Sequence, residues 1–308
     1  MQHSRRSFIK KGSLALAGAT MFSPDLFAAR PAGELLGVQL YSIREDMKTD
    51  PQGSLKKVAA MGYKNVEHAN YIDRKFYGYS AKEFKKVLGD LGLRMPSGHT
   101  VMRTQHWNAA THDFTDEWKM TVEDAAIVGQ QYVISPWLDE GLRSTYDDMR
   151  SYMDVFNKCG ELCKRSGMKF GYHNHDFEFS TKLDGVTVFD IILQHTDPAL
   201  VAQQLDIGNM YNAGAKALDI MKKYPGRFES MHVKDEIKST GGGREPYEST
   251  ILGVGVIPVK EVIDLGRKSG TKHFIVEQES YQDKTPMESI KEDLKIMKKW
   301  GYYKCCVK

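Results

Sequence analysis

Eight short β-rich runs alternate strictly with eight amphipathic stretches along this chain, and that order admits few architectures. The runs are Leu35–Tyr41, Asn65–Ala69, Arg94–Thr100, Tyr132–Pro136, Lys169–His175, Val201–Ile207, Phe228–Lys234 and Lys272–Glu279. The helical stretches are Gly53–Met61, Ala81–Leu91, Asp113–Val128, Tyr146–Ser166, Val186–Gln194, Ala215–Lys223, Val259–Lys268 and Met287–Trp300. Strands that return through helices pair in parallel. Gly62, Gly92, Gly129, Gly167 and Gly270 each fall between a helix and the next strand, where a left-handed residue commonly closes a helix. No G-x-G-x-x-G follows the first run, which argues against an open dinucleotide-binding sheet. Eight units in 308 residues predict a closed (β/α)8 TIM barrel, a single α/β domain over residues 30–308.

Residues 1–29 read differently. Ser4-Arg5-Arg6-Ser7-Phe8-Ile9-Lys10 is a twin-arginine pattern, Leu14–Phe22 is apolar, and Ala28 and Ala29 offer a cleavage site. Basic, apolar and small in that order is a signal peptide, and the apolar run is short for a membrane span. The expectation is export of the folded protein to the periplasm, with no stable membrane insertion after cleavage. No Cys near the cleavage point offers a lipid attachment. Cys159, Cys163, Cys305 and Cys306 match neither a disulfide framework nor a zinc knuckle. A net charge of +3, with no basic stripe interleaved with aromatics, argues against a nucleic-acid partner.

Side chains alternate between the two faces of a strand. Gln204 and Asp206 therefore share a face, as do His173 and His175, His232 and Lys234, and Glu277 and Glu279. Each pair ends an apolar run, and barrel active sites form at the C-terminal ends of the strands. Grouping so many ionisable side chains is costly unless they pair or bind a metal. One Asp, one Glu and two or three His make a nitrogen–oxygen ligand set for a divalent first-row ion. The long stretch Glu236–Gly255, containing Gly241-Gly242-Gly243, reads as an irregular loop on the same face, a lid or binding loop.

Several of these segments carry a resemblance. They include Gly37-Val38-Gln39-Leu40-Tyr41, Gly62-Tyr63-Lys64-Asn65-Val66-Glu67, Gly98-His99 and Gly171-Tyr172-His173-Asn174-His175-Asp176-Phe177-Glu178-Phe179. Leu205-Asp206-Ile207-Gly208-Asn209, His232-Val233-Lys234-Asp235, Leu252-Gly253-Val254-Gly255 and Val276-Glu277-Gln278 complete the set. Nearly all of the chain after the signal resembles the sugar phosphate isomerase/epimerase family. These xylose-isomerase-like barrels also include endonuclease IV, tagatose epimerases and inosose dehydratases. Such proteins hold one metal with a Glu from strand five, an Asp from strand six, a His from strand seven and a Glu from strand eight. The resemblance thus implies a divalent ion (Mn, Mg, Co or Zn) on Asp206, His232 and Glu277. Strand five departs from the pattern: His173 stands there in place of Glu and is assigned as the fourth ligand, with His175 and Glu178 as alternatives.

That departure puts a two-carboxylate proton shuttle in doubt. A His/Glu pair fits β-elimination of water or an alcohol next to a ketone, and inosose dehydratases resemble this strand-five pattern. The resemblance implies a metal-dependent isomerase, epimerase or lyase acting on a sugar, keto-sugar or polyol, with homo-oligomerisation left open. His175, Glu178, Lys234 and Glu277 are the catalytic candidates. Gln39, Tyr41, Glu67, His99 and Trp137 are the candidates for substrate binding, and Trp107 is a further loop aromatic. Export argues against a phosphorylated substrate. Two other readings are an exported sugar-binding barrel without turnover and an endonuclease IV-like phosphodiesterase. The second would need more His and a basic face.

Overall fold

The structure is a computed structural model that describes residues 36–240 and 245–303. The signal segment, Leu35, Gly241-Gly242-Gly243, Cys305 and Cys306 lie outside the described residues. Eight parallel strands close into the expected barrel. They are β1 Leu36–Gln39, β2 Asn65–His68, β3 Arg94–His99, β4 Tyr132–Ser135, β5 Lys169–His173, β6 Val201–Asp206, β7 Phe228–Val233 and β8 His273–Val276. The seam between β8 and β1 sets Leu36 opposite Phe274 and Val38 opposite Val276. The surrounding helices are α1 Pro51–Met61, α2 Ala81–Asp90, α3 Asp116–Val128, α4 Tyr146–Arg165, α5 Val188–His195, α6 Ala217–Lys223, α7 Val259–Lys268 and α8 Pro286–Lys299. None of the described helices is long and apolar enough to cross a membrane.

Local chemistry sets the helix limits. Ser80 and Glu83 form a reciprocal capping box at the start of α2, and Thr285 and Glu288 do the same for α8, where Pro286 takes the first helical position. Gly62 closes α1 at φ 112°, a conformation that a β-carbon would strain. Helix α3 starts three residues later than the sequence suggests. Asp113 and Phe114 instead pair with Asn108 and Trp107 in a two-stranded ribbon, and Thr115 caps the helix. Trp107 packs on Phe114 at 4.8 Å in that ribbon and does not line the cavity described below.

Apolar side chains between strands and helices fill the core. Trp118, Phe156 and Phe170 are fully buried and meet edge to face where α3 and α4 cover the sheet. Each such side chain stabilises the fold by about 1.5–3 kcal/mol. Inside the barrel, Tyr132, Ile134 and Ala202 form a small apolar cluster. Below it Glu229 accepts hydrogen bonds from Tyr132 Oη (2.9 Å), Lys272 Nζ (2.6 Å) and Lys169.

The stretch after β7 is not irregular. Asp235–Lys238 pairs antiparallel with Tyr247–Thr250, so the described part of the expected loop is a two-stranded ribbon. The loop that follows hangs on one carboxylate. Asp235 accepts the backbone N–H groups of Glu236, Gly253, Gly255 and Ile257 at 2.8–3.0 Å. A β-carbon on Gly255 would come within 2.4 Å of Asp235 Oδ1, which explains the second glycine of Leu252-Gly253-Val254-Gly255. Asp293 of α8 takes the N–H of Leu252 at 2.9 Å.

Burial pushes the Asp293 carboxyl up to about 8. Between the ordinary Asp range and that value, the unfolded chain is ionised while the folded chain keeps its proton. Stability is therefore lost as pH rises through this window. Asp293→Asn keeps an acceptor for Leu252 and removes the titration. Urea unfolding should show the variant gaining roughly 1 kcal/mol or more over the parent between pH 5 and pH 8. A constant difference across that range would refute the assignment.

Candidate active site and metal centre

The C-terminal ends of the strands open into a cavity of about 850 Å³. Tyr41, His99, Trp137, His173, His175, Lys234, Glu277 and Glu279 line it. Beneath it lies a polar layer built on Glu67, which is fully buried. Gln39 Nε2 donates to Glu67 Oε1 at 2.8 Å, and Gln204 Nε2 and the Ser97 hydroxyl donate to Oε2, the former at 2.9 Å. His232 Nε2 meets Oε1 at 2.6 Å. Burial alone would raise this carboxyl, but the facing imidazoles of His99 and His232, with the hydrogen bonds from His232 and Ser97, hold it down at about 2.

This layer orients the rings above it. Gln204 Oε1 lies 2.7 Å from His99 Nε2 and 3.1 Å from His173 Nδ1. A carbonyl oxygen only accepts, so the network assigns the His173 proton to Nδ1 and leaves Nε2 with a free lone pair. That Nε2 faces Asp206 Oδ2 at 3.8 Å. With Nε2 of His232 committed to Glu67, its Nδ1 points at Glu277 Oε2 (2.9 Å) and Asp206 Oδ2 (3.6 Å). A carboxylate behind an imidazole is the usual outer partner of a metal-bound histidine. Asp206 is pinned as well: its Oδ1 accepts the N–H of Gly208 at 2.9 Å and of Asn209 at 2.7 Å. Asn174, just past the end of β5, brackets its backbone with two hydrogen bonds, 3.0 and 3.1 Å.

Ligand atoms of Asp206, His232 and Glu277 lie within 4.8 Å of one another, and so do ring nitrogens of His99, His173 and His232. Asp206 Oδ2 is buried and makes no hydrogen bond of acceptable geometry, although Lys234 Nζ lies 3.1 Å away. A buried, aimed carboxylate oxygen beside the Nε2 lone pair of His173, with Glu277 and the His232 ring next to it, fits a divalent first-row ion. Lys234 is 1% exposed, and its ammonium also meets Glu277 Oε2 at 2.8 Å, Glu279 Oε1 at 2.5 Å and Asn209 Oδ1 at 3.0 Å. These carboxylates hold its pKa well above the ordinary lysine value against the opposing effect of burial.

Three expected site residues sit elsewhere. Gln39 and Glu67 have no solvent exposure and do not line the cavity. They support His232 from below, so the hydroxyl-binding role does not match their place. Glu178 turns away on the short helix Phe177–Ser180. There its carboxylate accepts the Tyr172 hydroxyl and the His175 N–H, the latter at 2.9 Å, and burial pushes it up to about 7. It reaches neither cavity nor ligand cluster. Tyr41 stands on the rim, 41% exposed, with the Arg44 guanidinium over its ring at 4.7 Å. Trp137 lies edge-on to His175 at 5.7 Å and to Phe177 at the same distance. Arg143 backs Phe177 at 3.9 Å. His175 lines the cavity, its buried Nδ1 has no hydrogen-bond partner, and burial lowers its pKa to about 4. Ser97 and Ser230 join the site without having been candidates. Their signal was the two-residue spacing that puts Ser97 with His99 and Ser230 with His232.

Comparison with known proteins agrees with this architecture. The model of the xylose isomerase-like TIM barrel family matches residues 55–300. An inosose dehydratase of Geobacillus thermodenitrificans is 28% identical over 252 residues, covering 73% of this chain and 80% of that protein. One from Clostridium perfringens is 33% identical over 89 residues, and there the match spans only 29% of either chain. A sugar phosphate isomerase/epimerase structure from Parabacteroides distasonis superposes with a TM-score of 0.75 at 24% identity, over 91% of this chain and 99% of that one. The IolI protein, whose structure holds a zinc atom, gives a TM-score of 0.66 at 14% identity over 88% and 99%. Fold, strand-end chemistry and relatives converge: the chain belongs to the xylose isomerase-like TIM barrel family.

Proposed function

We propose that the chain is a divalent-metal-dependent enzyme that removes a proton beside the carbonyl of a keto-sugar, and that β-elimination is its reaction. The carrying observation is the convergence of Asp206 Oδ2, His232 Nδ1 and Glu277 Oε2 beneath a cavity lined by His175. These three residues and His173 would hold the ion, whose zinc-bearing relative supports the reading. When bound, the ion supplies Lewis-acid polarisation of a substrate oxygen. Relatives named as dehydratases support a lyase.

The residues divide the work as follows. His175 is neutral at physiological pH and accepts the proton from the carbon next to the carbonyl. Burial disfavours the imidazolium so formed, which drives return of the proton, and Asp206 offsets part of that cost. The electron pair of the broken C–H bond forms the new carbon–carbon double bond as the carbon–oxygen bond one atom further on breaks. His175 returns its proton to the departing oxygen, so water or an alcohol leaves. The Lys234 ammonium donates a hydrogen bond to the oxygen on which negative charge collects. Trp137 walls the ring of His175 and offers its face to the sugar. Glu277, held well below the usual carboxylate range against burial by Lys234 and His232, suits a ligand better than a base.

The reading includes export to the periplasm, supported by the Arg5-Arg6 segment. Replacing both arginines with lysine should leave the precursor in the cytoplasm on fractionation; normal export of that variant would remove this part of the reading.

Asp206→Ala and His232→Ala should each lose the ion, measured by metal analysis of the purified protein, and at least about a hundredfold in activity. His175→Gln should retain the ion, yet lose about a hundredfold or more in kcat. Incubation with keto-sugars and keto-glycosides in heavy water separates the reaction types. Loss of water or alcohol marks the lyase, whereas solvent deuterium in a recovered sugar marks an isomerase or epimerase. Binding with neither outcome leaves a barrel without turnover.

A further inference from the structure

Lys234 carries an arrangement that the proton-transfer scheme does not require. Its stem runs through a slot that exists because residue 208 is glycine. A β-carbon there would lie 2.7 Å from Lys234 Cβ, 2.8 Å from its Cδ and 2.4 Å from Glu236 Oε1. The slot delivers the ammonium to four oxygens. Two of them, Asp206 Oδ2 at 3.1 Å and Glu277 Oε2 at 2.8 Å, belong to the ligand cluster. The other two, Glu279 Oε1 at 2.5 Å and Asn209 Oδ1 at 3.0 Å, belong to residues that line the cavity. An ammonium has three protons, so it cannot serve all four at full strength.

We propose that Lys234 is a resident counter-cation that competes with the divalent ion for Asp206 and Glu277, and that it shifts onto Glu279 and Asn209 when the ion binds. The inference rests on the metal-dependent reading above. Two buried carboxylates left without positive charge would be strongly destabilising. The ammonium, together with the His232 ring facing both carboxylates, supplies that charge before an ion arrives and keeps the two side chains ordered. A divalent ion and an ammonium sharing the same two carboxylates repel each other steeply in a buried site. The cavity-side oxygens, already within 3.0 Å of the ammonium, give it a second seat to keep when the ion takes the other two. The Asp-Ile-Gly-Asn segment thereby has a joint purpose: Asp206 offers the ligand, Gly208 clears the slot, and Asn209 holds the second seat.

The test uses the full chain, stripped by chelator and titrated with Mn2+ and Zn2+ by calorimetry, with Tm measured before and after loading. Lys234→Met should bind each ion about tenfold or more tighter than the parent, melt lower when stripped, and show a larger rise on loading. Glu279→Gln weakens the second seat and should bind the ions several-fold more weakly. Its side chain is 40% exposed, so this variant remains informative if Lys234→Met does not fold without metal. Equal or weaker binding by Lys234→Met, or unchanged binding by Glu279→Gln, overturns the competition while the metal-dependent reading stands. Absence of binding in parent and variants overturns both.

Discussion

A carboxylate withdrawn from water is costly unless its oxygens are met by donors. Glu67 on β2 meets that condition with groups from β1, β3, β6 and β7: Gln39, Ser97, Gln204 and His232. Five of the eight strands thus share one interior charge. The consequence reaches upward, because the bond to Glu67 decides which nitrogen of His232 remains for the ligand cluster. It also reaches sideways, because Gln204, held by Glu67 and Ser230, fixes the rings of His99 and His173. The chemistry at the mouth depends on a hydrogen-bonded floor that no substrate touches.

The structure brings Asp206, His232 and Glu277 together, and the strand-five position, where the family pattern has Glu, carries His173 instead. A carboxylate on β5 would add a third negative group beside Asp206 and Glu277. His173 instead adds a neutral donor whose tautomer is fixed by Gln204. Less negative charge then faces the cavity.

Much of the fold was legible because its signals are local. Runs of β-branched residues, the 3.6-residue period and the glycines after helices each act within one turn or strand. The convergence of Asp206, His232 and Glu277 was legible because alternation places them on the barrel's inner face. Alternation does not report depth. Gln39 and Glu67 face inward like Lys234, yet lie a layer lower, where donors from distant strands absorb them. Glu178 went astray for a different reason: the chain leaves β5 at His173 and coils, and the short helix carries the carboxylate under Tyr172. The ribbon after β7 was hidden by the run Gly241-Gly242-Gly243, whose composition outweighed the flanking Ile237 and Tyr247.

The Glu229 cluster stands at the opposite end of the barrel. It joins β4, β5, β7 and the entry to β8 through Tyr132, Lys169 and Lys272. Architecture and reactivity are therefore clasped at separate poles. Drift in the rim residues can retune what the mouth accepts without loosening this lower clasp, which leaves the scaffold room to acquire new substrates across evolutionary time.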